Sequence, residues 1–141
     1  MNPLIGAWRL VAMENRYADG RVRHPYGPEA AGYILYTAEG WMSATIMGGG
    51  RAPFGVEFGR GDGVSEKAAA FEGYLSYAGR YTFQGDRVVH HVEAALIPDW
   101  VGTDLVRLAE FRDDLLILST EPSTRGETTR TTVITWQRVT G

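Results

Sequence analysis

The chain has 141 residues, of which 44% are apolar and 22% charged, with a formal net charge of −3 and no cysteine. That length suits one domain that buries roughly two-thirds of its unfolded surface without staples. The absence of cysteine removes disulfides, thiolate metal ligands and a thiol nucleophile together. No basic run is present to neutralise phosphates, which excludes nucleic acid as a partner, and no apolar run is long enough to span a bilayer. The opening Met1-Asn2-Pro3-Leu4-Ile5-Gly6 lacks the charged and apolar regions of a secretory leader, so a cytoplasmic location is expected.

Eighteen glycines and turn signals at short spacing predict many short strands in a single domain over residues 1–141. The first strand is expected over residues 6–15, ending at Ala18-Asp19-Gly20, and a proline-bounded connection follows at His24-Pro25-Tyr26-Gly27-Pro28. Strands over 32–37 and 41–46 flank the turn Ala38-Glu39-Gly40. A glycine-rich loop over 48–63, with Phe54 and Phe58, is expected to be the mobile segment. The single helical signal covers 65–72, where Ser65 can cap and three alanines propagate. Strands are then expected over 77–84, 87–97, 103–111, 115–120 and 128–139. The total is eight, and an antiparallel barrel of eight strands holds one small ligand. Beside such a mouth, the helix and the loop would gate the cup.

Both ends of the chain point to the same closure. Gly6-Ala7-Trp8 opens the first strand and Trp136-Gln137-Arg138 ends the last. In a small barrel the first Trp plugs the closed end, and an Arg from the last strand lies across its indole as a cation–π partner.

The order of motifs resembles the bacterial lipocalin-like domain family. The matching pieces are Gly6-x-Trp8-x-Leu10, Pro25-x-Gly27, Gly32-x-Ile34-x-Tyr36, Gly40-x-Met42-Ser43-Ala44, Tyr74 through Gly79-Arg80-Tyr81, Val89-His90-His91-Val92-Glu93, Pro98-x-Trp100-x-Gly102, Arg107, Leu116-x-Leu118 and Trp136-x-Arg138. The resemblance spans nearly the whole chain and implies an all-β, eight-stranded up-and-down barrel of calycin type with one short helix. It implies no settled activity, since relatives include small-molecule binders and more distant barrels act as cofactor-free cyclases and isomerases.

The chemistry-bearing candidates lie on two strands. Alternation puts His90 on one face with Val88, Val92 and Ala94, and His91 on the other with Val89 and Glu93. The apolar company of His90 assigns it to the lumen and leaves His91 and Glu93 as an outer polar pair; the opposite parity would bring that pair inside. An inward His90 is a general acid/base or a handle for a ligand, or else a core histidine satisfied by a neighbouring Tyr or carbonyl. Arg107, mid-strand, needs a carboxylate from protein or ligand if buried, and pairs with Glu110 or Glu93 if it faces out. The resemblance favours the lumen. Tyr36, Met42, Tyr77, Tyr81 and Trp100 are expected to line the cup or its rim, although aromatic residues of this kind also make ordinary core.

The expected function is binding of a small, largely apolar or aromatic molecule. The alternative is a cofactor-free isomerase or cyclase acting on a polyketide-like intermediate, with His90 and Arg107 as catalytic groups. A third option is an interaction protein whose cup is packed shut. The residues leave carrier and catalyst open, and a homodimer is compatible with the chain. No cofactor is implied. Adjacent strand histidines point apart, so no metal site is expected.

Overall fold

The computed structural model describes residues 1–55 and 63–140. Among the described residues, ten strands, one α-helix and a 3-10 turn at Pro98–Trp100 follow: β1 (Gly6–Tyr17), β2 (Val22–Arg23), β3 (Ala31–Tyr36), β4 (Trp41–Met47), α1 (Val64–Glu72), β5 (Tyr74–Phe83), β6 (Arg87–Ala95), the 3-10 turn, β7 (Asp104–Arg112), β8 (Leu115–Ser119), β9 (Ser123–Arg125) and β10 (Thr128–Arg138). Neighbouring strands pair antiparallel from β1 through β3 to β8 and β10, and β10 pairs back onto β1. Eight strands therefore close into a barrel. The short β2 and β9 extend β1 and β10 at one end, and alternation could not announce elements of two or three residues.

Clean period-two burial builds the wall. On β3 and β4, Ile34, Tyr36, Met42, Ala44 and Ile46 point inward while Tyr33, Leu35 and Trp41 face out. Two bulges interrupt this rhythm. A register shift at Val11 turns Met13 and Asn15 inward further along β1. A second shift, in the β5–β6 pairing, makes Glu93 an extra residue, so that Ala94 faces solvent and Ala95 packs on the core. The expected inward Ala94 is thus corrected. Gly79 faces this bulge, and a Cβ there would overlap the His91 carbonyl oxygen. Gly79→Ala is expected to cost well above the ~1 kcal/mol of an average substitution, read as a drop in the urea midpoint. An unchanged midpoint would mean that the bulge yields freely.

The closed end is built as the termini predict. Trp8 is buried and donates its indole N–H to the Leu4 carbonyl at 2.9 Å. The Arg138 guanidinium lies 4.1 Å from the Trp8 ring and donates to the carbonyls of Pro3 at 2.6 Å and Ile5 at 3.0 Å. Gly6 has φ +131°, a region closed to most side chains, and a Cβ there would approach Arg138 Nη1 to 3.1 Å. The Gly-x-Trp spacing is therefore steric: the chain passes close beneath the guanidinium at the first residue of β1, where a side chain does not fit.

Helix α1 starts at Val64 with Gly63 in the cap position, so Ser65 lies inside the first turn and contacts Glu66 instead of capping. None of its residues is buried. The described part of the glycine-rich loop is fastened to it by Gly48 N–H to the Gly73 carbonyl at 2.8 Å and by Arg51 to the Ala70 carbonyl at 3.1 Å. Phe54 is half exposed there, and Phe58 lies outside the described residues.

Candidate functional site

Above the packed end, the barrel encloses a cavity of about 350 Å³. Its wall is mainly apolar and comes from nearly every strand, with Ile34, Ala44, Ile46, Leu75, Leu118, Ile134 and Trp136 prominent. Pro25 and Tyr26 from the β2–β3 connection and Ile97 and Trp100 from the β6–β7 connection complete it. No described residue of α1 or of the glycine-rich loop contributes. Those segments border a separate surface cleft of about 340 Å³, so the part of the expected gate that is described stands away from the cavity.

Three of the expected site residues share this wall: Tyr77, Trp100 and Arg107. The Tyr77 and Trp100 rings meet edge to face with centroids 5.7 Å apart. Tyr36, Met42, Tyr81 and His90 are also inward and buried, but they lie in the packed layers beside the cavity. The Tyr81 hydroxyl donates to the Thr37 carbonyl at 2.6 Å and accepts from Asn2 at 3.0 Å.

His90 is 1% exposed and has tyrosine hydroxyls on both ring nitrogens: Tyr36 Oη at 2.6 Å from Nε2 and Tyr77 Oη at 2.9 Å from Nδ1. Burial, aided by the Arg107 and His91 charges, pushes its pKa down to about 3, so the imidazole is neutral. Burial pushes the Tyr77 phenol up to about 12 and the Tyr36 phenol well above its ordinary value. The residue that the strand pattern placed in the lumen is therefore the middle of a neutral Tyr–His–Tyr chain that reaches the cavity only through Tyr77.

Arg107 faces inward on β7 with Leu105, Ala109 and Phe111, half-buried, and donates to its neighbour's carbonyl on Val106 at 3.0 Å. Among the described residues no carboxylate pairs with it; Glu110, its expected outer partner, binds Arg112. Arg130 lies at the edge of the same cavity, and the described wall contains no Asp or Glu. The other wall polars satisfy one another in part: Thr132 Oγ1 donates to Asn15 Oδ1 at 2.7 Å, and its N–H donates to Thr120 Oγ1 at 3.0 Å. Trp136 has a buried indole N–H with no acceptor among the described residues.

His91 points outward, as alternation predicts, but its partners are Asp104 and Thr82, each at 2.8 Å, rather than Glu93. The order Thr–His–Asp has triad connectivity, yet it lies flat on the exposed sheet with no cavity beside it. Among the described residues there is no cluster of three or more His, Asp or Glu suited to a metal ion, and no helix is long and apolar enough to cross a membrane.

An eight-stranded antiparallel barrel closed at one end, with a ligand-sized apolar cavity, is an architecture suited to holding a small molecule. The chain belongs to the lipocalin-like domain family, whose profile matches residues 5–139. It is 33% identical over 108 residues to the 4'-hydroxy-3'-methoxypropiophenone carrier protein ppsC of Aspergillus oryzae, covering 70% of this chain and 96% of that protein. Among solved structures it is similar to a lipocalin-like protein of Bacteroides uniformis, at 16% identity and TM-score 0.48 over 98% of this chain and 100% of that one. An uncharacterised Bacteroides eggerthii protein is similar at 14% identity and TM-score 0.46, covering 95% and 98% of the two chains.

Proposed function

We propose that the protein carries a small, largely apolar aromatic molecule in the barrel lumen, with Tyr77 and Trp100 against its ring and Arg107 near its polar end. The observation that carries this reading is the cavity itself. Its volume of about 350 Å³ lies within the ~300–1,000 Å³ of small-molecule pockets, and its apolar wall is broken by a few convergent polar groups. The similarity to a protein described as a propiophenone carrier supports an aryl ketone or phenol as the class of cargo. The catalytic alternative needs a His90 nitrogen free to move a proton on the ligand. Both nitrogens are engaged by tyrosines, which favours carrier over isomerase or cyclase.

Trp100 and Trp136 border the cavity, so intrinsic fluorescence reports its occupancy. Titration with acetophenone-type ketones is expected to give saturable quenching, weakened at least about tenfold by Ala44→Phe, which fills the lumen from its wall. Native mass spectrometry of protein from its own host is expected to reveal a co-purifying small molecule. Absence of saturable quenching by any aryl ketone or phenol, together with a clean protein mass, would refute the carrier reading.

A further inference from the structure

The Tyr36–His90–Tyr77 chain has two ways to arrange its hydrogens, because a neutral imidazole offers one donor and one acceptor. In one, the Tyr36 hydroxyl donates to Nε2, Nδ1–H donates to Tyr77 Oη, and the Tyr77 hydrogen is left over. In the other, Tyr77 donates to Nδ1, Nε2–H donates to Tyr36 Oη, and the Tyr36 hydrogen is left over. The surroundings separate them. Tyr36 is 2% exposed, inside the packed layers, and its hydroxyl has no second partner among the described residues. A leftover hydrogen there is a buried unsatisfied donor, at a cost of about 1–3 kcal/mol. Tyr77 is part of the cavity wall, and the charge of Arg107 in the same wall acts on its phenol, so a guest beside Arg107 is the available acceptor for its leftover hydrogen. This cost favours the first arrangement, and the short 2.6 Å contact is compatible with Tyr36 as the donor to Nε2.

We infer that Tyr36 and His90 are positioning residues that fix Tyr77 as a hydrogen-bond donor to the cavity, so that the cargo is recognised by an acceptor oxygen of carbonyl or oxyanion type. This rests on the reading of the lumen as a ligand site. Two independent features of the wall agree in polarity. Arg107 is a cation without a carboxylate partner among the described residues, and the described wall has no Asp or Glu that could receive a donor from the ligand. Donation from Nδ1–H to the Tyr77 oxygen also polarises its O–H, which strengthens the bond that Tyr77 makes to a guest. An amine or other cationic group would meet Arg107 and a hydrogen pointed at it, so the same arrangement rejects donors as it selects acceptors.

The test uses two probes of the same shape, 2-acetonaphthone and 2-isopropenylnaphthalene, which differ in a carbonyl oxygen against a methylene. Wild type is expected to bind the ketone about tenfold more tightly, the worth of one hydrogen bond. Tyr77→Phe and Tyr36→Phe are each expected to remove that preference while leaving the alkene within about twofold, a split that loss of packing alone does not produce. Long-range 1H–15N spectra of the wild type are expected to show His90 with a protonated Nδ1 and a bare Nε2, and Tyr36→Phe to lose that single form. A protonated Nε2 in the wild type overturns the inference whether or not the variants fold, as does equal affinity for the two probes. Equal affinity leaves the carrier reading standing. If neither probe binds and the protein from its own host has a clean mass, it is the carrier reading that falls.

Discussion

Acidification from pH 7 to pH 4 is expected to remove about 3 kcal/mol of folding stability through His90 alone. In the unfolded chain the imidazole titrates near its ordinary 6.5, whereas the folded group titrates at about 3. Between those values the unfolded state holds a proton that the native state does not, so stability falls with decreasing pH by about 1.4 kcal/mol per unit. Above pH 6.5 both states are neutral and His90 contributes no slope. The groups facing it give no relief. Arg107 adds positive charge, and the two phenols remain neutral with their pKa values raised. A doubly protonated ring would also deprive Tyr36 of its acceptor. Urea unfolding across this range should show the slope in wild type and a much flatter one in His90→Gln, which keeps one donor and one acceptor but does not titrate. The difference between the two proteins cancels the exposed carboxylates. Parallel curves would mean that the folded protein already carries a charged His90.

Trp8→Ala is expected to cost about 3–5 kcal/mol, the range for removing a buried aromatic side chain. Its ring fills the closed end against Phe111, centroids 6.3 Å apart, and supports the Arg138 guanidinium on its face. The variant loses the packing, the hydrogen bond to Leu4 and the cation–π contact together. Arg138→Gln leaves the Trp8 packing and its bond to Leu4 in place and removes the guanidinium. Loss of the charge over the ring and of two hydrogen bonds to the Pro3 and Ile5 carbonyls is expected to cost about 1–3 kcal/mol. Lysine is no substitute, because a single ammonium cannot span both carbonyls while lying flat on the indole. The cavity is at the other end, so the folded fraction of Arg138→Gln should bind ligand within about twofold of wild type. Denaturant midpoints of the two variants check the energies. A Trp8→Ala protein within about 1 kcal/mol of wild type would mean that the plug is not what holds the barrel closed.

Several site features were legible in single strands. Alternation on β6 separates His90 from His91, and the apolar company of His90 points it inward as the structure has it, whereas Arg107 is directed to the lumen by the family resemblance and not by its own strand. The reading failed where one strand carries too little information. Ala94 was misplaced because a bulge depends on the partner strand, and Gly79 is its one visible trace in the sequence. Glu93 lies two residues from His91 on the same face of one strand, while the partners of His91, Thr82 and Asp104, come from the strands on either side. Met13, Asn15 and Thr132 were not expected in the wall. Met13 and Asn15 follow the bulge at Val11, and Thr132 leads Ile134 and Trp136 in an alternation on β10 that was open to reading.

The sequence by itself determined the barrel of strands, its closure by Trp8 and Arg138, and the division of each regular strand into two faces. Each of these follows from local rules: a period of two, turn residues, and the Gly-x-Trp and Trp-x-Arg motifs at the two ends. The tertiary structure alone decided depth. Tyr36, Tyr77 and Tyr81 are equally inward by pattern, yet only Tyr77 reaches the cavity, and His90 finds its hydroxyls on β3 and β5. Period two assigns a side chain to a face but not to a height along the barrel axis. Height is set by the stagger of each strand against its neighbours, a relation between segments far apart in the chain.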